Sequence, residues 1–309
     1  RHAHDTAADL VGDPGRAYGS KPMIPAAFDY VRADSLSQAI ELLAANPDGA
    51  KLVGDGHTLI PTLKLRLASP ALLIDISRIA QLKGIEVGEQ IKIGALTTHA
   101  ELLASEPLRQ AVPLFHQAAD LISDPQVRNR GTIGGSLANA DPAADWPAIV
   151  IALNATIEIV GPDGVRQLAA KDFFVDIMTS ALDTDEVLTA IRVARPSPDT
   201  RFVYRKIRHP ASGYAVVGVA MALRMTDNTV TEITIGVTGA AGFPFPAQAA
   251  AEFLISKPLS LENIDAATRI ASENIDYLSD QYAPAEYRRQ LVKTEISRAL
   301  SGLRDRLSS

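Results

Sequence analysis

The chain has 309 residues, about twice a usual domain length, so two domains and a large core are expected. Its composition, 47% hydrophobic and 21% charged, excludes a wholly disordered, collagen-like or coiled-coil chain. Thirty Lys and Arg against 36 Asp and Glu give a net charge of −6, with no run of five like charges, which argues against a nucleic-acid surface. No window of eighteen apolar residues offers a membrane span. With no cysteine, the chain cannot hold an iron–sulfur cluster through thiolates, form a disulfide or use a thiol nucleophile; any such chemistry has to sit on a partner.

Residues 1–22, polar and carrying His2 and His4, read as a leader or cloning remnant ahead of Met23, without the apolar segment of a secretory signal. From Pro25 the pattern becomes regular. Asp34 or Ser35 can cap a helix whose apolar positions Leu36, Ala39, Ile40, Leu42 and Leu43 recur at helical spacing. A βα alternation follows, with strands expected at 51–53, 72–76 and 91–94 and helices at 59–67, 98–104 and 107–121. The segment 124–142, DPQVRNRGTIGGSLANADP, is too rich in Gly, Asn, Asp and Pro for a regular element and reads as a long functional loop. A helix at 142–153, a strand at 156–160, a GPDG turn and a strand at 186–193 complete this half. ARPSPD, 194–199, is the best linker. Beyond it three antiparallel strands are expected at 201–208, 214–225 and 230–238, the last two joined by a turn at 226–229, then helices at 247–254, 261–278 and 285–303.

Two glycine clusters carry the chemistry. Gly54, Asp55, Gly56, His57 and Thr58 lie between a strand and a helix, where glycines permit tight turning and a helix start offers unpaired N–H groups to an anion; a purely structural βα turn fits the same residues. Thr132, Ile133, Gly134, Gly135 and Ser136, followed by Asn139, Asp141 and Asp145, supply approachable backbone, hydroxyls, an amide and carboxylates, a set that suits a pyrophosphate and sugar hydroxyls. Neither cluster has a Walker lysine or a GxGxxG frame, so an ATPase or nicotinamide Rossmann site is unsupported. No zinc or Ser–His–Asp motif stands out, which leaves hydrolysis a poor hypothesis.

KLVGDGHTLIPTLKLRLASPALLIDISRI at 51–79 and RNRGTIGGSLANADPAADWPA at 128–148 resemble the FAD-binding medium subunit of the molybdenum hydroxylase (xanthine oxidase) family, most closely its aerobic carbon monoxide dehydrogenase branch. MIPAAFDYVRADSLSQAIELL at 23–43, IGALTTHAEL at 93–102 and YRKIRHPASGYAVVGVA at 204–220 extend the resemblance nearly to the C-terminus. It implies an α+β fold: an FAD-binding domain of the PCMH/vanillyl-alcohol-oxidase type with two α+β subdomains, 23–198, then a C-terminal antiparallel sheet with helices, 199–309. It implies FAD contacts from Leu52, Val53, Gly54, Asp55, Gly56, His57, Thr58 and Leu59, and from Thr132, Ile133, Gly134, Gly135, Ser136, Asn139 and Asp145. Val187 and Leu188 match positions that pack the flavin, and Lys206 a lysine near its ring.

The family's first motif is usually AGGHS, so Asp55 replaces a small residue; a carboxylate beside a pyrophosphate is unfavourable, and its side chain is expected to face outward. The glycines are expected to bring N–H groups to phosphate, with Thr58, Thr132 and Ser136 adding hydroxyls, Asp145 accepting from ribityl or ribose hydroxyls, and Lys206 stabilising a reduced flavin. Blander readings stand beside these. His57 is structural, or the histidine that some flavin oxidases of this wider fold link to flavin; Asp145 only caps a helix; Lys206 and Arg208 form a solvated face; Asp124, Arg128 and Arg130 pair to fix the loop; His99 is a surface or capping residue. The resemblance further implies a molybdopterin-containing large subunit and a small subunit with two 2Fe–2S clusters as partners, in a dimer of heterotrimers. The lack of a secretory signal in 1–22 leads to the expectation of a cytoplasmic protein, with peripheral contact at the inner face of the membrane and a quinone as one outlet for electrons through the complex. The rivals are a stand-alone flavin oxidase and a cofactor-free assembly protein.

Overall fold

The computed structural model describes residues 23–305; the expected leader at 1–22 lies outside them. Strand β1 (Asp29–Arg32) leads to helix α1 (Leu36–Ala44), which starts where the Ser35 hydroxyl accepts from the Gln38 amide. Strand β2 (Ala50–Val53), helix α2 (Leu59–Lys64) and strand β3 (Leu72–Asp75) follow. The three strands form a parallel sheet in the order β1-β3-β2, and α1 buries Ala39, Ile40 and Leu43 in its core. Leu59 begins α2 directly after the glycine loop, so the helix start faces whatever that loop encloses.

The second subdomain opens with β4 (Ile85–Val87) and β5 (Gln90–Gly94), then runs through α3 (His99–Ala104), α4 (Glu106–Ala111), α5 (Pro113–Leu121), α6 (Pro125–Arg128), α7 (Ile133–Asn139) and α8 (Trp146–Ala152). Strands β6 (Thr156–Gly161) and β7 (Gly164–Ala169), the ribbon β8 (Phe174–Asp176) and β9 (Thr179–Ser180), and β10 (Val187–Ala194) complete it. The sheet is antiparallel, ordered β4-β5-β10-β6-β7, and its core contains Phe115, Trp146 and Phe173. The expected single helix at 107–121 is two, because Pro113 has no N–H to continue α4 and instead starts α5. The expected long loop at 124–142 contains α6 and α7. Their starts are fixed by Asp124, which accepts from the Gln126 and Val127 amides, and by Thr132, which accepts from the Gly135 amide, so capping overrides the poor helix propensity of glycine.

The C-terminal part is a four-stranded antiparallel sheet of β11 (Arg201–Arg208), β12 (Ala215–Thr226), β13 (Thr229–Thr238) and β14 (Phe245–Pro246). Asp227 and Asn228, both at positive φ, make the two-residue turn between β12 and β13. One face packs against α9 (Gln248–Leu254), α10 (Leu261–Ile270) and α11 (Ala285–Asp305), and α10 ends sooner than its apolar pattern suggests. The other face receives α8: a Cβ at Gly236 would overlap the Ala148 carbonyl oxygen, Thr238 Oγ1 donates to the Ala144 carbonyl at 2.7 Å, and the Ala215 amide donates to the Ala143 carbonyl at 3.0 Å. Phe202, Tyr204 and Ala220 accordingly share the core of the second subdomain.

Candidate functional site

A cleft of about 900 Å³ is lined by the glycine loop after β2, by α7 and the start of α8, by the β9–β10 connection and by Ser212–Tyr214. That is near the upper end of the size of small-molecule and cofactor sites, roughly 300–1,000 Å³. Both glycine clusters lie on its wall.

The two loops meet through one side chain. Asp55 Oδ2 accepts from the Thr132 amide at 2.9 Å and from the Thr132 hydroxyl at 3.0 Å, while Oδ1 accepts from the His57 amide at 2.8 Å. The expectation that this carboxylate faces outward is therefore corrected. It is drawn inward because three donors converge on it, and an ionised acceptor makes stronger hydrogen bonds than a neutral one. Arg130 donates to the Asp55 carbonyl at 3.4 Å.

In the first loop Gly56 takes φ +77°, and the amides of Gly54, Asp55, Gly56, Thr58 and Leu59 have no acceptor among the described residues. Some of these belong to the unpaired donors that every helix start leaves. Leu52, Val53, His57 and Leu59 line the cleft beside them, and the Thr58 side chain makes no capping bond.

The second loop is built differently. Its amides are spent internally: Thr132 on Asp55, Ile133 on the Thr97 carbonyl, Gly134 on the Ala95 carbonyl at 2.8 Å, Gly135 on the Thr132 hydroxyl and Ser136 on the Thr132 carbonyl. A Cβ on Gly134 would stand 2.5 Å from Ala95 Cβ, and one on Gly135 2.8 Å from Asp55 Oδ2. The N–H donation to a ligand expected of Gly134 and Gly135 is thus replaced by close packing. The Thr132 hydroxyl is likewise committed to Asp55 and Gly135. Ile133 is fully buried in the core and is absent from the cleft wall, whereas Ser136 and Asn139 are on it.

Val187 and Leu188 reach the cleft at an irregularity in β10, where Leu188 pairs with Ile159 but Ala190 pairs with Glu158. Thr189, the extra residue, donates to the Glu158 carbonyl at 3.2 Å and accepts from the Ala95 amide through its own carbonyl. Asp145 lines the cleft at the start of α8, yet its carboxylate accepts from the Tyr204 hydroxyl and from Lys206 Nζ at 2.8 Å rather than capping the helix. Burial pushes the Asp145 carboxyl up and the Lys206 ammonium down, and each partner opposes the other's shift. The Lys206 side chain, 1% exposed, also donates to the Leu121 carbonyl and stands behind Asp145 rather than on the cleft wall. Neither the solvated face nor the helix cap read from sequence holds for this pair. Asp124, Arg128 and Arg130 form no ion pairs with one another among the described residues; Arg128 instead holds the Ile122 and Ser123 carbonyls.

Sequence reasoning missed several cleft residues. His99 is buried beside Trp146, while Thr98 is the cap of α3 through a reciprocal pair with Glu101. Tyr214 lines the cleft from the loop just before β12, and burial together with Asp141, Asp145 and Asp55 pushes its phenol up. Both lie in phrases that carried the family resemblance, which was the available signal. Among the described residues no group of three or more His, Asp and Glu is arranged to hold a metal, and no helix is long and apolar enough to cross a membrane.

Residues 26–196 match the family model described as the FAD binding domain in molybdopterin dehydrogenase, and residues 202–303 match the CO dehydrogenase flavoprotein C-terminal domain. The carbon monoxide dehydrogenase medium chain of Afipia carboxidovorans is 37% identical over 279 residues, 90% of this chain and 97% of the relative. The glyceraldehyde dehydrogenase medium chain of Sulfolobus acidocaldarius is 38% identical over 280 residues, 90% and 98% of the two chains. The solved structure of reconstituted CO dehydrogenase from Oligotropha carboxidovorans includes a chain that superposes with a TM-score of 0.87 at 36% identity, covering 90% of this chain and 98% of that one. FAD is the cofactor of this family, and the chain is an FAD-dependent oxidoreductase subunit similar to carbon monoxide dehydrogenase medium chains. With both segments matched in order, the protein belongs to the FAD-binding subunits of the molybdenum hydroxylase family.

Proposed function

We propose that this chain is the electron-transfer subunit of a molybdenum hydroxylase, taking electrons from the 2Fe–2S clusters of a small partner subunit and passing them through FAD to an external acceptor such as a quinone. The electrons originate at a molybdopterin-containing large subunit, in a dimer of heterotrimers, and the chain divides into FAD-binding and C-terminal domains at the 194–199 linker. FAD suits such a junction because, when bound, it exchanges electrons singly or in pairs. The residues of the cleft fit it. The free amides of Gly54 to Leu59 would hold the diphosphate; Ser136, Asn139 and Asp145 would serve the ribityl and ribose hydroxyls; Val187 and Leu188 would support the ring, with the Lys206 charge acting on it from behind Asp145. The observation that carries this reading is the row of unpaired amides around Gly56, opposite a second loop locked in place by Asp55. The test is reconstitution of FAD-free chain, with tight uptake of one FAD per chain expected, followed by addition of substrate to the complete complex. Flavin bleaching in the complex and none in the isolated chain supports the relay role; bleaching of the isolated chain overturns it.

Carbon monoxide is the substrate class we favour for the complex. The comparable identity, 38% against 37%, to a glyceraldehyde dehydrogenase medium chain supports a second reading, an aldehyde or N-heterocycle hydroxylase, and a substrate screen on the intact complex separates them. FAD that stays on the denatured chain through His57 would point instead to a stand-alone flavin oxidase.

A further inference from the structure

We propose that His99 is an additional cofactor-binding residue, a neutral imidazole whose Nε2–H donates to an oxygen along the diphosphate–ribityl chain of FAD, held in that tautomer by Trp146. The assignment rests on the FAD reading of the cleft and adds a contact to it.

The Trp146 indole N–H, which can only donate, meets His99 Nδ1 at 3.1 Å. Nδ1 must therefore present a lone pair, and the ring proton sits on Nε2. The two rings pack at a centroid distance of 5.6 Å, and the His99 amide donates to the Gly131 carbonyl at 2.9 Å, so both side chain and backbone are fixed. His99 is only 6% exposed, and burial pushes its imidazole down to about 4; Asp55 opposes that shift, while His57 and Arg128 add to it. The ring is thus neutral at physiological pH.

The opposite edge of the ring lies against Gly131, where a Cβ would stand 2.7 Å from Nε2, and both residues line the cleft. Nε2 has no acceptor among the described residues, and the atom is not sealed from solvent: it opens on the cleft. The cleft is the side from which a ligand oxygen can take the place of water as its acceptor. His99 stands between Thr132, bound to Asp55, and Trp146, next to Asp145, so the nearest part of an extended dinucleotide is its oxygen-rich middle.

The test uses the full chain, with FAD as probe. In the wild-type protein, nitrogen NMR of His99 is expected to show a single Nε2–H tautomer that does not titrate between pH 5.5 and 8, with the Nε2–H resonance moving when FAD is added. His99→Phe, which removes the donor, is expected to raise the Kd for FAD by about three- to tenfold, and His99→Gln, which keeps an N–H donor, to restore most of the loss. An Nδ1–H tautomer, an Nε2–H resonance insensitive to FAD, or a His99→Phe chain that binds FAD as tightly as wild type would overturn the proposal. The NMR arm decides the matter even if the variants fold poorly. A wild-type chain that takes up no FAD would instead sink the cofactor reading itself, a result unlike any of these.

Discussion

Gly54–Leu59 and Thr132–Ser136 are both short glycine and hydroxyl loops at the start of a helix, and both border the cleft, yet their backbones are spent in opposite ways. The first leaves five amides without an acceptor among the described residues and bends through a positive φ at Gly56; the second pairs each of its amides and uses glycine to let α7 touch the end of β5 at Ala95. Glycine in the first leaves amides open to the cleft, and glycine in the second admits the protein. The lesson is that a glycine-rich motif beside a cleft need not donate into it; it can serve by fixing the frame against which another loop is open.

That contrast can be tested in order of expected effect. Gly134→Val, pressed against Ala95, should cost more than about 3 kcal/mol in the FAD-free and FAD-loaded chain alike, read by chemical denaturation; a loss of FAD affinity with unchanged stability would return the loop to a ligand-holding role. The pH arm of stability comes next. His99 has a folded value of about 4 against an ordinary 6.5, so as pH falls the unfolded chain takes the proton first. Stability present above pH 6.5 is then lost down to about pH 4, on the order of 3 kcal/mol in full, and His99→Gln should flatten that arm of the urea midpoint plotted against pH. Asp55→Asn keeps the shape but weakens two hydrogen bonds between the loops and one within the first, for an expected cost of about 2 kcal/mol in thermal unfolding together with looser FAD binding. Gly56→Ala, forced to a positive φ with its Cβ 2.9 Å from Ile60 Cγ1, should cost about 1–2 kcal/mol of stability, while FAD affinity falls noticeably in a fluorescence titration. Equal stability losses at Gly56 and Gly134 would erase the distinction between the loops.

The alternation of strands and helices, the hairpin at Asp227 and Asn228 and the long α11 were all legible, because apolar period and turn chemistry are local. The α7 helix was not. Gly134 and Gly135 argue against a helix on propensity, and only the Thr132 cap and the contact with Ala95, a partner 39 positions away in sequence, turn them into one. The site divides in the same way. Its glycine loops were visible as motifs, but the inward turn of the Asp55 carboxylate depends on Thr132, and the burial of Lys206 and His99 depends on Asp145 and Trp146, partners that no local pattern reveals. Short elements such as β8 and β9 escaped because two or three residues cannot display a period.

The grip of the C-terminal sheet on the 142–152 segment has an architectural corollary. Thr238, Gly239 and Gly236 clasp the stretch that delivers Asp145 and Trp146, so the rear wall of the cleft is supplied by one half of the polypeptide and buttressed by the other. Exchanging the two halves among relatives would require swapping the outer surface of α8 along with strands β12 and β13, and a fragment cut at Arg195 would lose its prop before it lost any of its glycine motifs.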